Sequence, residues 1–148
     1  MESMPNRSYH ILLVEDNQGD TLLIRKALKD SRFNSHVHVV PEGNEAISFL
    51  RGRDKHVSVP VPDLIILDLL LPGKDGYEVL EEIKSDRRLR TIPVVVFTGS
   101  GAPEDVKKAY ELGANCYVVK PVGFEELQRL LAAVQGFWFG VAKLPTVE

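Results

Sequence analysis

The sequence predicts an α/β protein in which five parallel strands form one doubly wound sheet with helices on both faces. Short apolar runs alternate along the chain with segments of helical periodicity, an order typical of parallel sheets with crossover helices. Four of the runs are apolar on both faces, as expected for strands that helices cover on either side. A chain of 148 residues has the size of one such domain.

The predicted strands are runs rich in β-branched residues that lie between turn formers. In chain order they are residues 11–14, 36–40, 63–67, 93–97 and 116–119. The second of these is the weakest. All of them are short enough to be strands of one buried sheet.

The predicted helices follow the strands one by one. Apolar residues recur at helical spacing in residues 20–30, 44–50, 77–85, 103–112 and 124–135. Pro103 suits the first turn of the fourth helix, and Gly113 suits its end. The longest irregular connection, residues 51–62, is expected to be a surface loop.

The composition excludes several classes of protein. Hydrophobic residues make up 44% of the chain and charged residues 26%, and the formal net charge is -3, which gives no general attraction to nucleic acid. No segment has the ~20 apolar residues of a membrane span, and the N-terminus lacks a signal peptide. The single cysteine, Cys116, excludes an intramolecular disulfide and favours a reducing compartment. We expect a cytoplasmic protein that binds neither membranes nor nucleic acid.

Polar residues stand at the carboxyl ends of four predicted strands, where ligands bind in open α/β sheets. They are Glu15, Asp16, Asp68, Thr98 and Lys120. In the strand order 2-1-3-4-5, a common doubly wound order, the first and third strands are neighbours, so Asp16 and Asp68 face each other. Carboxylates that lie this close together repel one another unless a proton or a metal neutralises them. Hard oxygen donors suit Mg²⁺ better than Zn²⁺.

These side chains are equipped for phosphoryl transfer. An aspartate can attack a phosphoryl group while a cation, a lysine and a hydroxyl neutralise or hydrogen-bond its oxygens. Asp68 lies centrally, so it is the expected acceptor, with Lys120 and Thr98 beside it. Taken alone, Asp16 also reads as a helix cap and Thr98 as an ordinary strand-end residue.

Four motifs carry a resemblance to a known family. The stretches LLVEDN, DLIILDLLLPGKDGYEVL, PVVVFTGSG and GANCYVVKP are similar, in order and spacing, to those of the chemotaxis-type receiver domain of two-component response regulators. The resemblance implies a flavodoxin-like (βα)5 receiver fold over residues 9–136. A tail at 1–8 would precede it, and an aromatic extension at 137–148, with no output domain, would follow it.

The resemblance also implies a set of metal ligands. Asp16 and Asp68 would bind the Mg²⁺ ion directly, together with the backbone carbonyl of Leu70. Glu15 stands where many members have a second aspartate, and its longer side chain would reach the ion through water.

Three further residues receive roles from the same resemblance. Lys120 would pair with the phosphoryl group on the acceptor, and Thr98 would hydrogen-bond it. Tyr117 matches the aromatic residue whose rotamer couples to the threonine in the family's conformational switch. The peptide bond between Lys120 and Pro121 resembles one that is usually cis.

The segment GFWFGVAKLP places Phe137, Trp138 and Phe139 together after the last predicted helix. In one interpretation the helix continues, so that Trp138 covers the core; in the other, the aromatic residues form an interface. This tail, with the stretches DNQGD and LLLPGKDG, is similar to the stand-alone receivers that serve phytochromes. That similarity implies a light-sensing histidine kinase as phosphodonor and a homodimer through the last two helices, the fifth strand and the tail.

The resulting hypothesis is a single-domain response regulator. It would take a phosphoryl group from a sensor histidine kinase of phytochrome type onto Asp68, with Mg²⁺, and signal by altered partner binding or dimerisation. It would not be an enzyme, because it would catalyse only its own phosphorylation and dephosphorylation.

Other hypotheses stay open on the sequence. A haloacid-type phosphatase would need an acid two residues after the nucleophile, where Leu70 stands. A pseudo-receiver that binds partners without phosphorylation would not need the acidic pair Glu15 and Asp16, nor Thr98 and Lys120. His36 and His38 alternate on one strand face and could bind a metal, but a solvated or partly packed pair is favoured, since no further Cys or His has ligand spacing.

Overall fold

Five strands form one parallel sheet in the residues that the computed structural model describes, 7–52 and 59–145. The strands are β1 Ser8–Val14, β2 Asn34–Val40, β3 Leu64–Leu67, β4 Val94–Thr98 and β5 Cys116–Val119. Their order is β2-β1-β3-β4-β5, and every neighbouring pair is parallel. The predicted doubly wound fold and its strand order are confirmed.

The five predicted helices are present. They are α1 Gln18–Lys29, α2 Gly43–Arg51, α3 Gly76–Ser85, α4 Pro103–Glu111 and α5 Phe124–Gln135. The side chain of Asn17 accepts a hydrogen bond from the backbone N–H of Asp20 and caps α1, so Asp16 is not the cap. At α3, Asp75 and Glu78 form a reciprocal capping box, which satisfies two of the unpaired N–H groups of the first turn.

The helices cover the sheet in two layers. On one face, α1 and α5 pack over a core that includes Ile11, Leu13 and Ile66. On the other face, α2, α3 and α4 contribute to a second core that includes Leu12 and Ile65. All four residues of β3 are fully buried, so the residue that follows this strand stands on a rigid support.

A π-helical segment, residues 136–141, continues α5 without a break. Its wider turn brings Phe139 over the core, where the ring is 7% exposed. This ring stacks on Tyr9 with centroids 4.0 Å apart and meets Phe33 edge-on at 5.9 Å. The helix therefore continues, as one interpretation expected, but the buried ring is that of Phe139 rather than Trp138.

Two further expectations, the cis peptide bond and the absence of a membrane span, can be compared with the structure. Every peptide bond in the described ranges is trans, including the one between Lys120 and Pro121, which is the more stable form for most X–Pro bonds; the implied cis bond is wrong. No helix among these residues is long and apolar enough to cross a membrane. Parts of the expected tail, loop and extension, namely residues 1–6, 53–58 and 146–148, lie outside the described residues.

Candidate functional site

The carboxyl ends of β1, β3, β4 and β5 bring the predicted site residues to one edge of the sheet. The ladder continues past the strand ends, because the N–H of Asp68 donates to the carbonyl of Val14 (3.1 Å) and the N–H of Lys120 donates to the carbonyl of Thr98 (2.8 Å). These backbone bonds fix where each side chain starts. The polar residues thus converge although they are far apart in sequence.

The carboxylate of Asp68 is buried and held by three donors. The hydroxyl of Thr98 donates to Oδ1 at 2.8 Å, and the backbone N–H of Leu70 donates to the same oxygen at 3.1 Å. The ammonium of Lys120 donates to Oδ2 at 2.9 Å. Asp68 is 6% exposed and Thr98 is fully buried, so the orientation of the carboxylate is set by protein groups rather than by water.

Lys120 bridges three carboxylates. Its Nζ donates to Glu15 at 2.7 Å and to both Asp20 and Asp68 at 2.9 Å. Burial works against the charge of Lys120, but the hydrogen bonds to the three carboxylates outweigh it and raise the pKa of the ammonium group. The lysine therefore stays charged across the physiological pH range.

Asp20 is a site residue that sequence reasoning missed. It lies in the first turn of α1, where acidic residues are common because their negative charge interacts favourably with the helix dipole. Its partner Lys120 is 100 positions away, so no local pattern connects the two residues. The one sequence signal was its place four residues after Asp16, on the first turn beside the acidic pair.

Three carboxylates form a candidate metal centre beside the lysine. Within residues 7–52 and 59–145, Glu15, Asp16 and Asp68 are the one group of three such side chains whose donor atoms all lie within 4.8 Å of one another. Asp16 is exposed, whereas Glu15 is 2% exposed. Burial raises the pKa of the Glu15 carboxyl to about 7, against the hydrogen bonds from Lys120 and from the backbone N–H of Asn17.

Comparison with known proteins identifies the family. Residues 11–132 match the response regulator receiver domain. The chain belongs to this family. Response regulator Rcp1 of Synechocystis sp. is 41% identical over 135 residues, which cover 91% of this chain and 92% of Rcp1.

Solved structures of receivers agree with the fold. The phosphorylated cyanobacterial phytochrome response regulator RcpA superposes with a TM-score of 0.90 at 42% identity, over 95% of this chain and 100% of RcpA. The Mn²⁺-bound form of response regulator Rcp1 superposes with a TM-score of 0.87 at 40% identity, over 93% of this chain and 99% of that one.

The receiver family binds Mg²⁺, and the donor set of this receiver fits the ion. Its three carboxylates are hard oxygen donors, as Mg²⁺ prefers, and the single ammonium of Lys120 does not balance the negative charge around it. The exposure of Asp16 leaves room for the water molecules that Mg²⁺ usually keeps. The structure places the amide of Leu70 on Asp68; the role of its carbonyl as a ligand stays a prediction.

A hydrogen-bonded group joins the loop after β4 to α3 and α4. The hydroxyl of Tyr117 donates to the carbonyl of Ser100 at 2.7 Å. Asp105 accepts from the hydroxyls of Ser100 (2.5 Å) and Tyr77 (2.7 Å), and the ammonium of Lys108 lies 4.2 Å from the centre of the Tyr77 ring. The switch role of Tyr117 stays a prediction, but its hydroxyl is tied to the loop that follows Thr98.

The three aromatic residues of the C-terminal segment differ in exposure. Phe137 is 50% exposed, and Trp138 is partly buried, with its ring edge-on to Phe137 at 4.9 Å. Phe139 belongs to the core of the protomer, because the π-helical turn directs it inward. Only Phe137 and Trp138 stay candidates for a partner surface.

Proposed function

We propose that this receiver is a single-domain response regulator that accepts a phosphoryl group on Asp68 from a sensor histidine kinase of phytochrome type. The observation that carries the proposal is the environment of Asp68, whose buried carboxylate contacts Thr98 and Lys120 beside a cluster of acids suited to Mg²⁺. Signalling would follow from altered partner binding or dimerisation.

The transfer is a displacement at phosphorus. A carboxylate oxygen of Asp68 forms a bond to phosphorus while the phosphorus–nitrogen bond of the donor phosphohistidine breaks, and the released imidazole nitrogen takes up a proton from water. Lys120 neutralises negative charge on the phosphoryl oxygens, and the Thr98 hydroxyl turns from Asp68 Oδ1 to donate to one of them. A Mg²⁺ ion held by the cluster of Glu15, Asp16 and Asp68 would supply additional positive charge beside the phosphoryl group.

The rotation of the Thr98 hydroxyl would start a conformational switch that passes through the loop after β4. In the structure Thr98 is the last residue of that strand and donates to Asp68. When the Thr98 hydroxyl donates to the phosphoryl group instead of Asp68, the space and hydrogen bonds around Thr98 change. The hydroxyl of Tyr117 donates to the carbonyl of Ser100 in the same loop, so this change can reach Tyr117. The output surface would then be that of α4, β5 and α5.

The identity of the phosphodonor rests on similarity. RcpA is a phytochrome response regulator that is 42% identical to this chain. The match covers 95% of this chain and 100% of RcpA, so the similarity extends over nearly the whole receiver. A phytochrome kinase, acting with the receiver in the cytoplasm, is the proposed partner; with a formal charge of -3, nucleic acid is not.

The proposed role is that of a phosphoacceptor rather than an enzyme with an external substrate. A haloacid-type phosphatase needs an acid two residues after its nucleophile, and the side chain there is Leu70, which is 74% exposed. A pseudo-receiver would have no use for an ammonium that binds three carboxylates around an acceptor. The chain would catalyse only the formation and hydrolysis of its own aspartyl phosphate.

We also propose homodimerisation through the α4-β5-α5 face and residues 137–148. The strand β5 is at the edge of the sheet, and each of its residues is at least partly exposed. An apolar groove of about 310 Å³ lies between this strand and the end of α5, with Val118, Leu130, Phe137 and Trp138 in its lining. A second copy of the same face would cover these rings.

The decisive experiment is incubation with Mg²⁺ and acetyl phosphate, followed by measurement of the intact mass. Wild type and Asp30→Asn should each gain one phosphoryl group, whereas Asp68→Asn should gain none. Asp30 is the matched control because it is an exposed aspartate outside the site, whose partner Gln128 (2.9 Å) an asparagine oxygen can keep. A phosphoryl adduct on Asp68→Asn, or none on wild type with any donor, would contradict the proposal.

The dimer is tested separately by sedimentation with and without beryllofluoride. Phe137→Ala should weaken self-association, since it removes half-exposed apolar area next to Trp138, and it should leave the phosphoryl adduct intact. A protomer mass for wild type in both states would rule out dimerisation as the output without affecting the role of Asp68.

A further inference from the structure

Three histidines from two strands lie together on one face of the sheet. His10 of β1 is the register partner of His36 of β2, and His38 follows two residues later on the same face. Nδ1 of His10 lies 3.1 Å from Nε2 of His38. The ring of His10 stacks on both of the others, with centroid distances of 5.1 Å to His36 and 5.3 Å to His38.

The spacing of the two closest nitrogens matches that of two ligands on one metal ion. Zinc–imidazole bonds are about 2.0–2.1 Å long, so two of them at a tetrahedral angle place their nitrogens about 3.3 Å apart. In the structure the two nitrogens share a hydrogen bond of 3.1 Å, so an ion would replace the shared proton and the two rings would turn toward it. Both rings are attached to paired strands, and the ring of His38 also meets that of Phe49 at 5.4 Å, so the pair is held in place before any ion arrives.

We propose that His10, His36 and His38 form a second metal site, which takes a divalent transition-metal ion of the zinc type. His10 and His38 supply the two nitrogens that already lie at ligand spacing. The three rings do not yet place one nitrogen each within 4.8 Å of the other two, so His36 joins by a change of rotamer. Its side chain is exposed and therefore has space for that change. Water completes the coordination.

The donor chemistry separates this site from the acidic centre. Imidazole nitrogen suits Zn²⁺, Cu²⁺ and Ni²⁺, whereas carboxylate and carbonyl oxygens suit Mg²⁺. His10 lies in the first half of β1, and its backbone N–H donates to Asp63, the residue before β3. The acidic centre follows the carboxyl ends of β1 and β3, whereas the histidines lie within β1 and β2, so the two sites share no ligand.

The test is calorimetric titration of the intact chain with ZnCl₂ at pH 7.5 in excess Mg²⁺, with long-range ¹H–¹⁵N spectra of the imidazoles. We expect one Zn²⁺ per chain and shifted signals from Nδ1 of His10 and Nε2 of His38. His36→Gln and His38→Gln should each reduce the affinity at least about tenfold, since losing even an outer partner of a metal site costs about 10–100-fold. The Asp68→Asn variant should bind Zn²⁺ as wild type does.

His56→Gln is the control for histidine number, because it removes the fourth histidine of the chain, a residue outside the described ranges. It should leave the affinity unchanged. The proposal is overturned if no stoichiometric binding occurs, if either cluster variant keeps the wild-type affinity, or if Asp68→Asn or His56→Gln abolishes binding. Since His36 is exposed, its variant stays informative even if His38→Gln does not fold.

Discussion

Replacing Phe139 by alanine should destabilise the receiver strongly, although this residue lies in a tail outside the five-strand pattern. Its ring is 7% exposed and fills the space between Tyr9 and Phe33, stacked on the first at 4.0 Å and edge-on to the second at 5.9 Å. The hydroxyl of Tyr9 also donates to the backbone carbonyl of Phe139 at 3.2 Å, a bond that alanine can keep. The loss therefore comes from the ring alone.

The size of the effect follows from the burial. Truncating a buried phenylalanine to alanine costs about 3–5 kcal/mol, and the aromatic pairs with Tyr9 and Phe33 favour the middle or upper part of that range. We expect a loss of about 4 kcal/mol in the free energy of unfolding for Phe139→Ala. In a protein of this size about 2–4 °C of melting temperature accompany each kcal/mol, so the melting temperature should fall by about 8–16 °C.

The assay is urea unfolding at two protein concentrations, since dimerisation would add concentration-dependent stability. Phe137→Ala is the matched control: its ring is 50% exposed, so the same truncation should cost less than about 1 kcal/mol. A loss below about 1.5 kcal/mol for Phe139→Ala, or equal losses for the two variants, would refute the assignment of Phe139 to the core.

Two further substitutions test the frame of the site. Gly76→Ala should destabilise the fold and reduce the rate of phosphorylation, because a Cβ there would lie 2.4 Å from Cα of Leu69, next to the acceptor; Gly99→Ala, whose Cβ meets nothing within 4 Å, should leave the melting temperature unchanged. Equal melting temperatures for the two would contradict this. Tyr77→Phe removes the 2.7 Å hydrogen bond to Asp105 and should cost about 1 kcal/mol and speed amide exchange at the start of α4; unchanged exchange there would show that the bond does not hold the helix.

Local patterns in the sequence predicted the strands, the helices and the polar residues at the strand ends, whereas the strand order came from a general rule for doubly wound sheets. The sequence of β3 is LIIL between turn formers, a continuous apolar run of the kind found in parallel strands that helices cover on both faces. Once the order of the strands is known, Asp68, Thr98 and Lys120 must meet, because each follows a strand at the same edge. The hydrogen bonds among them are the geometry that this argument required.

Contacts between residues distant in sequence were beyond reach of such patterns. No local pattern assigned a role to Asp20, since its lysine partner is 100 residues away. His10 stands outside the spacing of His36 and His38, and only the pairing of β1 with β2 brings the three rings together.

In the C-terminal segment, too, the sequence pattern and the tertiary packing determined different things. Its apolar stripe at 3.6-residue spacing pointed to Trp138 as the ring that covers the core. Gly136 keeps a helical backbone, but the turn that follows is π-helical, which shifts the phase and buries Phe139 instead. The 3.6-residue spacing holds only for an α-helix. In the wider π-helical turn, the ring of Phe139 packs against Tyr9 and Phe33. The residue types alone therefore left a core role and an interface role open for the three aromatic residues, and the tertiary packing decided that Phe139 is the ring that closes the core.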